Sequence, residues 1–298
     1  MMNDKLSSKQ IGFIEIILSG VCFGSLGFFG KMAYAQKIAP GELLALRYSL
    51  SAVMMGFIIL ISHPKSFFLS KFQIISSLLL GILGYALFSS LFFYALTGLS
   101  ASLTVLLLYT YPLMVAILSR FFLKEHLGRV GLFALVMATI GIVGLVWGEW
   151  SISDPKYLTM GIGAAFFYSI YILYSRKYLN DVPAMPSSFY VQLGAGTILS
   201  LINFDSSERA LEIISNNTLL ILSMAFICSF LAMTLFLAGL RRITSSEASI
   251  LSTTEPLFGV LIAALFLGEK LSFIQIIGGL FILTAMILLT LKQGTLKQ

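Results

Sequence analysis

Glu255 and Pro256 sit together deep inside an apolar run, residues 246–267. A carboxyl group in such a run can do one of two pieces of chemistry: it can hold an ammonium, or it can take up and release a proton. Near the middle of a bilayer it costs about 3 kcal/mol unless paired or protonated. Pro256 removes one backbone N–H and frees a carbonyl one turn back, which membrane depth tolerates only against protein or a wet cavity. On a helical net Ser245, Ala248, Ser252, Glu255 and Gly259 share one small, polar face. A second reading stays open beside the first, in which a protonated Glu255 bonds to a neighbouring helix and locks the bundle. Aromatic residues form the other constellation. Tyr168 and Tyr171 lie in one apolar run, and Tyr85, Ser89 and Phe92 recur at helical spacing in another. Deep tyrosines either line a substrate path or satisfy their hydroxyls within the core.

Other chemistries lack their residues. The chain has two histidines, His63 and His126, in separate links, so no paired-histidine metal site is expected. No G-x-S-x-G elbow and no Walker A sequence occur, which argues against acyl transfer and against an ATP-driven pump. An enzyme is not expected, nor a cofactor. Cys22 and Cys228 are far apart in apolar segments and read as small buried hydrophobes.

The elements that must position Glu255 are membrane helices. Of the 298 residues 58% are hydrophobic and 11% charged, against roughly 45–50% and 25% in soluble domains. The mean hydropathy is +0.97. A bilayer core needs about 20 apolar residues in helix. Runs of that length predict ten spans: 11–33, 43–62, 73–98, 101–122, 129–148, 157–179, 185–203, 218–240, 246–267 and 272–291. The link 203–217 is the longest polar stretch.

The spans come in two copies. A shift of 144 positions lays Leu108-Tyr-Thr-Tyr-Pro-Leu113 on Ser252-Thr-Thr-Glu-Pro-Leu257, and Phe122 to Leu127 on Phe266 to Leu271. The same shift pairs Phe23 with Phe167 and Leu96 with Leu240. Residues 1–150 and 151–298 therefore read as two five-helix repeats. Five is odd, so the second copy must enter the membrane from the other side. Pro112 and Pro256 are counterparts, as are Tyr111 and Glu255, and these predict a cavity with one aromatic and one acidic wall. Duplicated halves around a central site are a common build of secondary transporters. On the amino-terminal side lie 13 of the 19 lysines and arginines, so both termini are expected in the cytoplasm. The net charge of +6 follows from that bias, and nucleic acid is a poor partner. The expected partners are the lipid bilayer and a small-molecule substrate, for a monomer or homodimer.

These residues resemble the drug/metabolite transporter superfamily in its EamA-type ten-helix branch. The second copy carries Ser245 to Ser249, Glu255-Pro256, Leu267-Gly-Glu-Lys-Leu271 and Gly278-Gly279. The first carries Tyr94-Ala-Leu96, Tyr111-Pro112 and Leu123-Lys-Glu125, with Lys124 where the family has glycine. Arg47 stands where the family commonly has an arginine opening the second helix. The resemblance covers nearly the whole chain. It implies a ten-helix inverted-repeat transporter in a bacterial inner membrane, with export as its direction, and leaves the substrate open among amino acids, amines and drug-like molecules. An importer or exchanger is the alternative within transport. A lipid-carrier flippase or a non-transporting scaffold is the alternative outside it.

Four charged residues read as gate or structural elements. Glu15 lies one to two turns into the first span, within reach of interfacial water. Arg47 is expected to extend to the headgroups. Glu125 and Glu269 end matched spans, each capping the turn into the next helix or pairing with a basic residue when one side closes. Gly20, Gly24 and Gly27 make a small-residue stripe expected to pack helix on helix.

Overall fold

The structure is a computed structural model that describes residues 7–148, 152–268 and 270–291. Among the described residues the regular elements are helices, and the closest approach to a strand is one antiparallel bridge between Leu99 and Ile152. In chain order they are α1 (Ser8–Ala35), α2 (Pro40–Ser62), α3 (Lys71–Leu96), α4 (Ala101–Leu108 and Tyr111–Phe122), α5 (Arg129–Leu145) and α6 (Lys156–Tyr178). These are followed by α7 (Ala184–Asn203), α8 (Ser207–Asn216), α9 (Thr218–Leu240), α10 (Ser245–Leu251 and Thr254–Leu267) and α11 (Phe273–Leu291). Among the described residues eight segments are long and apolar enough to cross a membrane, and α5 is a shorter apolar helix. The protein is an integral membrane protein. The remaining long helix, α7, carries Pro186, Ser187, Ser188 and Gln192, all buried among its neighbours.

The polar link 203–217 is largely helix, α8. α8 is amphipathic: Ala210, Ile213 and Ile214 recur at helical spacing and pack against Ile38, Leu43 and Leu46. Its other face carries Arg209, which bridges Glu42 at 3.1 Å and Glu212 at 3.0 Å. One apolar stripe is enough to fold a polar segment onto a surface.

Three kinds of break interrupt the long helices, and two of them recur in both halves, overlapping under a shift of 144 positions. α4 opens at Tyr109–Thr110 and α10 at Ser252–Thr253, each just before its proline. The cause is covalent: proline has no N–H for the carbonyl four residues back, and its ring crowds that carbonyl. α3 widens to a π-turn over Leu80–Ala86 and α9 over Phe226–Leu231, which overlap under the same shift. α1 bends at Ser25, whose hydroxyl turns back to the Cys22 carbonyl at 2.7 Å.

Packing follows the same correspondence. α5 lies on α11, and α2 lies on α7. Ser8–Gly24 of α1 lies on Ala232–Leu240 of α9 and on α10, as α6 lies on Leu87–Leu96 of α3 and on α4. A shift of 144 maps each of these pairs onto itself or onto the other. Small residues permit the close contacts. A Cβ on Gly141 would sit 2.7 Å from the Gly278 carbonyl oxygen, so α5 and α11 meet backbone to backbone.

Candidate functional site

A cavity of about 440 Å³ opens between α1, α2, α3, α4, α6, α9 and α10. Its rim carries the exposed Lys31 and Tyr34, at the end of the bundle where α1 turns into α2. Its deep part is bounded by Glu255 and Pro256, by Tyr85, Tyr109, Tyr111 and Tyr168, and by Arg47. The size suits a small organic ligand, and the mainly apolar wall with a few polar groups is the usual make-up of such sites.

The proline breaks place the two facing walls. Glu255 follows the gap at Ser252–Thr253, so its carboxyl projects from the first turn of a restarted helix. Tyr109 lies in the matching gap of α4 and lines the cavity together with Glu255. Tyr111 is 1% exposed and stacks edge-on against Tyr168, with ring centroids 4.7 Å apart. Its hydroxyl donates to the Ser249 carbonyl at 3.4 Å, which ties the aromatic wall to α10. Tyr85 sits in the π-turn of α3, and Phe88 joins it to Tyr168 through tilted rings 4.7 Å apart.

The stripe on α1 divides in two. A Cβ on Gly20 would meet Thr254 Oγ1 at 2.2 Å, and one on Gly24 would meet the Glu255 carbonyl oxygen at 2.7 Å. These two glycines let α1 press against the helix that carries the acid. Gly27 faces open space and lines the cavity.

Arg47 departs from its expected place. It does not extend to the headgroups: it is 5% exposed and lines the cavity. Pro40 and Glu42, whose side chain accepts the Ala39 N–H at 2.8 Å, start α2 two turns earlier. Packing of α2 on α7 then turns Arg47 inward. Its Nη2 donates to the Tyr48 hydroxyl, and its Cζ lies 4.4 Å from the centre of the Tyr48 ring.

Among the other candidates, Ser252 and Tyr171 stand behind the wall. Ser252 is buried and donates to the Ala248 carbonyl at 2.9 Å. Tyr171 is fully buried, and its hydroxyl donates to Met233 Sδ at 3.3 Å. Glu15 lies outside the cavity and pairs with Arg242 at 2.9 Å. Glu269 lies outside the described residues. Tyr109 and Phe88 were missed as candidates. Both carry an aromatic signal, but Tyr109 falls in a turn, where a helical net has no face to assign it.

The opposite end of the bundle, which holds Ser8, is closed by a polar cluster. Glu125 does not cap the turn into α5. Its carboxylate accepts the Ser245 N–H at 2.9 Å, at the start of α10, and lies 3.6 Å from Arg176. Arg176 also donates to the Leu240 carbonyl at 3.0 Å, and Lys9 pairs with Glu247 at 2.6 Å. One layer deeper, Ser119 and Ser246 bond at 2.9 Å. Burial pushes the Glu125 carboxyl above the ordinary glutamate range, against the opposing pull of the Ser245 N–H and Arg176. None of these closing residues lines the cavity.

Comparison with known proteins agrees with a membrane carrier. The EamA-like transporter family matches this chain twice, over residues 10–147 and over residues 155–291. A Bacillus subtilis protein named "Uncharacterized transporter YcbK" is 26% identical over 307 residues, spanning 97% of each chain. A Salmonella typhimurium protein named "Probable amino-acid metabolite efflux pump" is 26% identical over 296 residues, spanning 94% of each. One crystal structure superposes with a TM-score of 0.76 at 20% identity, covering 98% of this chain and 99% of the other, which is a likeness of fold. With the family matched over both halves of a chain whose helices enclose a central cavity, this protein is a membrane transporter that belongs to the EamA-like transporter family.

Proposed function

We propose that the chain is a secondary transporter that moves a small organic metabolite by alternating access. The observation that carries this reading is a central cavity open at one end of the bundle and shut at the other by a polar cluster. The two halves act as five-helix repeats of opposite orientation, making ten spans. The matched proline breaks, π-turns and helix pairs support that arrangement. A conformer closed at the first end and open at the second then follows by exchanging the roles of the repeats. Glu255 takes the cargo's ammonium or the coupling proton. The aromatic wall holds its apolar part.

Amino-acid-like cargo and export are the preferred readings, supported by the name of the Salmonella relative. Both termini face the cytoplasm, which makes the open cavity the external one. The presence of a cavity weighs against a non-transporting scaffold. Reconstituted protein should move members of a metabolite panel across proteoliposomes, with rates that respond to an imposed pH gradient. Failure with every compound under both conditions overturns the reading. Externally added thiol reagent should reach a cysteine placed at Asp205 and miss one at Pro64, and the reverse pattern overturns the orientation.

A further inference from the structure

Arg47 holds donors that no acceptor among the described residues takes up. A guanidinium offers five N–H bonds. One atom, Nη2, donates to Tyr48, while Nε and Nη1 have no acceptor among the described residues. Tyr48 is itself held in place, since its hydroxyl meets Ser89 Oγ at 3.2 Å and Ser89 donates to the Tyr85 carbonyl at 2.8 Å. The guanidinium is thus braced from one side and unsatisfied on the others, at 5% exposure and on the wall of the cavity. A buried cation left in this state is costly. A structural arginine would find a carboxylate, and among the described residues none lies within 4 Å of it. Glu255 lines the same cavity but does not close an ion pair with it. The two groups therefore lie more than 4 Å apart.

We infer that Arg47 is an anion subsite that docks the carboxylate of the cargo, an assignment that rests on the transporter reading above. A planar guanidinium with free N–H bonds matches a carboxylate in geometry as well as charge. A dianion such as a phosphate monoester fits less well, because the Glu255 carboxyl lines the same cavity and would oppose the second charge. In this arrangement the ligand completes the hydrogen bonding of Arg47 and fixes which end of the cargo points towards α2.

The test uses the full chain in lipid nanodiscs with three probes: L-phenylalanine, L-phenylalaninamide and 3-phenylpropionate. The wild type should bind the two carboxylates at least about tenfold more tightly than the amide, which has no anionic group. Arg47→Met should abolish that preference. Its unliganded Tm should hold or rise, since an unsatisfied buried charge is removed without leaving a carboxylate unpaired. Arg47→Lys should keep a weaker preference, because the charge remains and the planar fork is lost. Equal binding of acid and amide by the wild type overturns the assignment, as does the absence of binding by either carboxylate. A preference that survives in Arg47→Met overturns it too. Binding is read here without transport. A protein that binds carboxylates through Arg47 yet moves none of them in vesicles would sink the transporter reading and leave the subsite standing.

Discussion

Glu125 accepts the backbone N–H of Ser245 at 2.9 Å, so an acid from the first half of the chain caps a helix of the second. Ser245 begins the seven-residue segment Ser245–Leu251, all of it buried, that stands between the cavity and the polar end of the bundle. Arg176 of α6 joins the same carboxylate, which ties three elements at one point. Opening this end requires that contact to break.

Glu125→Ala should therefore loosen the closed end. It leaves the Ser245 N–H without its acceptor, a loss of about 1–3 kcal/mol in the closed conformer. Thiol labelling of Ser246→Cys from that side should rise by roughly fivefold or more in the Glu125→Ala background. Unchanged labelling would show that the contact does not hold the end shut.

The pH dependence of the same end follows from the raised carboxyl of Glu125. Once the end opens to water, the group returns to its ordinary range, so the closed conformer binds the proton more tightly. Its contribution to closure is fully present below the ordinary glutamate range and is lost as pH rises through the raised value. Labelling of Ser246→Cys should increase with pH across that window, and Glu125→Gln should flatten the profile. A decrease with rising pH would contradict the assignment.

Lys124 has a positive φ of 56°, where its counterpart Gly268 has 69°. A side chain in this region costs about 1 kcal/mol, and Lys124 is exposed, so its removal gives up little packing. Lys124→Gly should stabilise the protein by about 0.5–1 kcal/mol, read as a higher Tm in detergent. A lower Tm would mean that the lysine has a favourable contact that outweighs the strain.

Gly24 and Gly27 should separate stability from function. Gly24→Ala drives a methyl into the Glu255 backbone and should cost about 1–3 kcal/mol of stability. Gly27→Phe meets nothing within 4 Å at its Cβ and projects into the cavity, so it should block transport with Tm nearly unchanged. Active Gly27→Phe would place the cargo path elsewhere.

Glu255→Gln keeps the size of the side chain and its capacity to hydrogen-bond, but cannot exchange a proton or balance a cation. Transport in proteoliposomes should fall by about tenfold or more, equivalent to roughly 1.4 kcal/mol, and lose its pH response. Insertion and Tm should stay as in the wild type. Normal, pH-responsive transport by this variant would reduce Glu255 to a structural lock, a role in which Glu255→Leu alone should lower stability.

Much of this was legible in the chain because its causes are local. The membrane class follows from composition, and the breaks at Tyr109–Thr110 and Ser252–Thr253 follow from prolines that cannot complete a helix. The correspondence between Tyr111 and Glu255 needs only the 144-residue shift. Even α8 left a readable signal in Ala210, Ile213 and Ile214, obscured by its polar neighbours.

What remained hidden depended on rotation about helix axes and on contacts between distant segments. Arg47 lies close enough to the start of α2 to reach the headgroups, yet packing on α7 and the brace of Tyr48 and Ser89 turn it inward. Tyr168 and Tyr171 are three residues apart on α6, and tertiary packing put only the first on the cavity wall. Glu125 finds Ser245 across 120 positions of sequence, a pairing no local pattern encodes. Proline and hydropathy act on their own neighbourhood, so sequence determined where the helices run and break. Which side chains meet depends on how whole helices pack, and only the tertiary structure decided that.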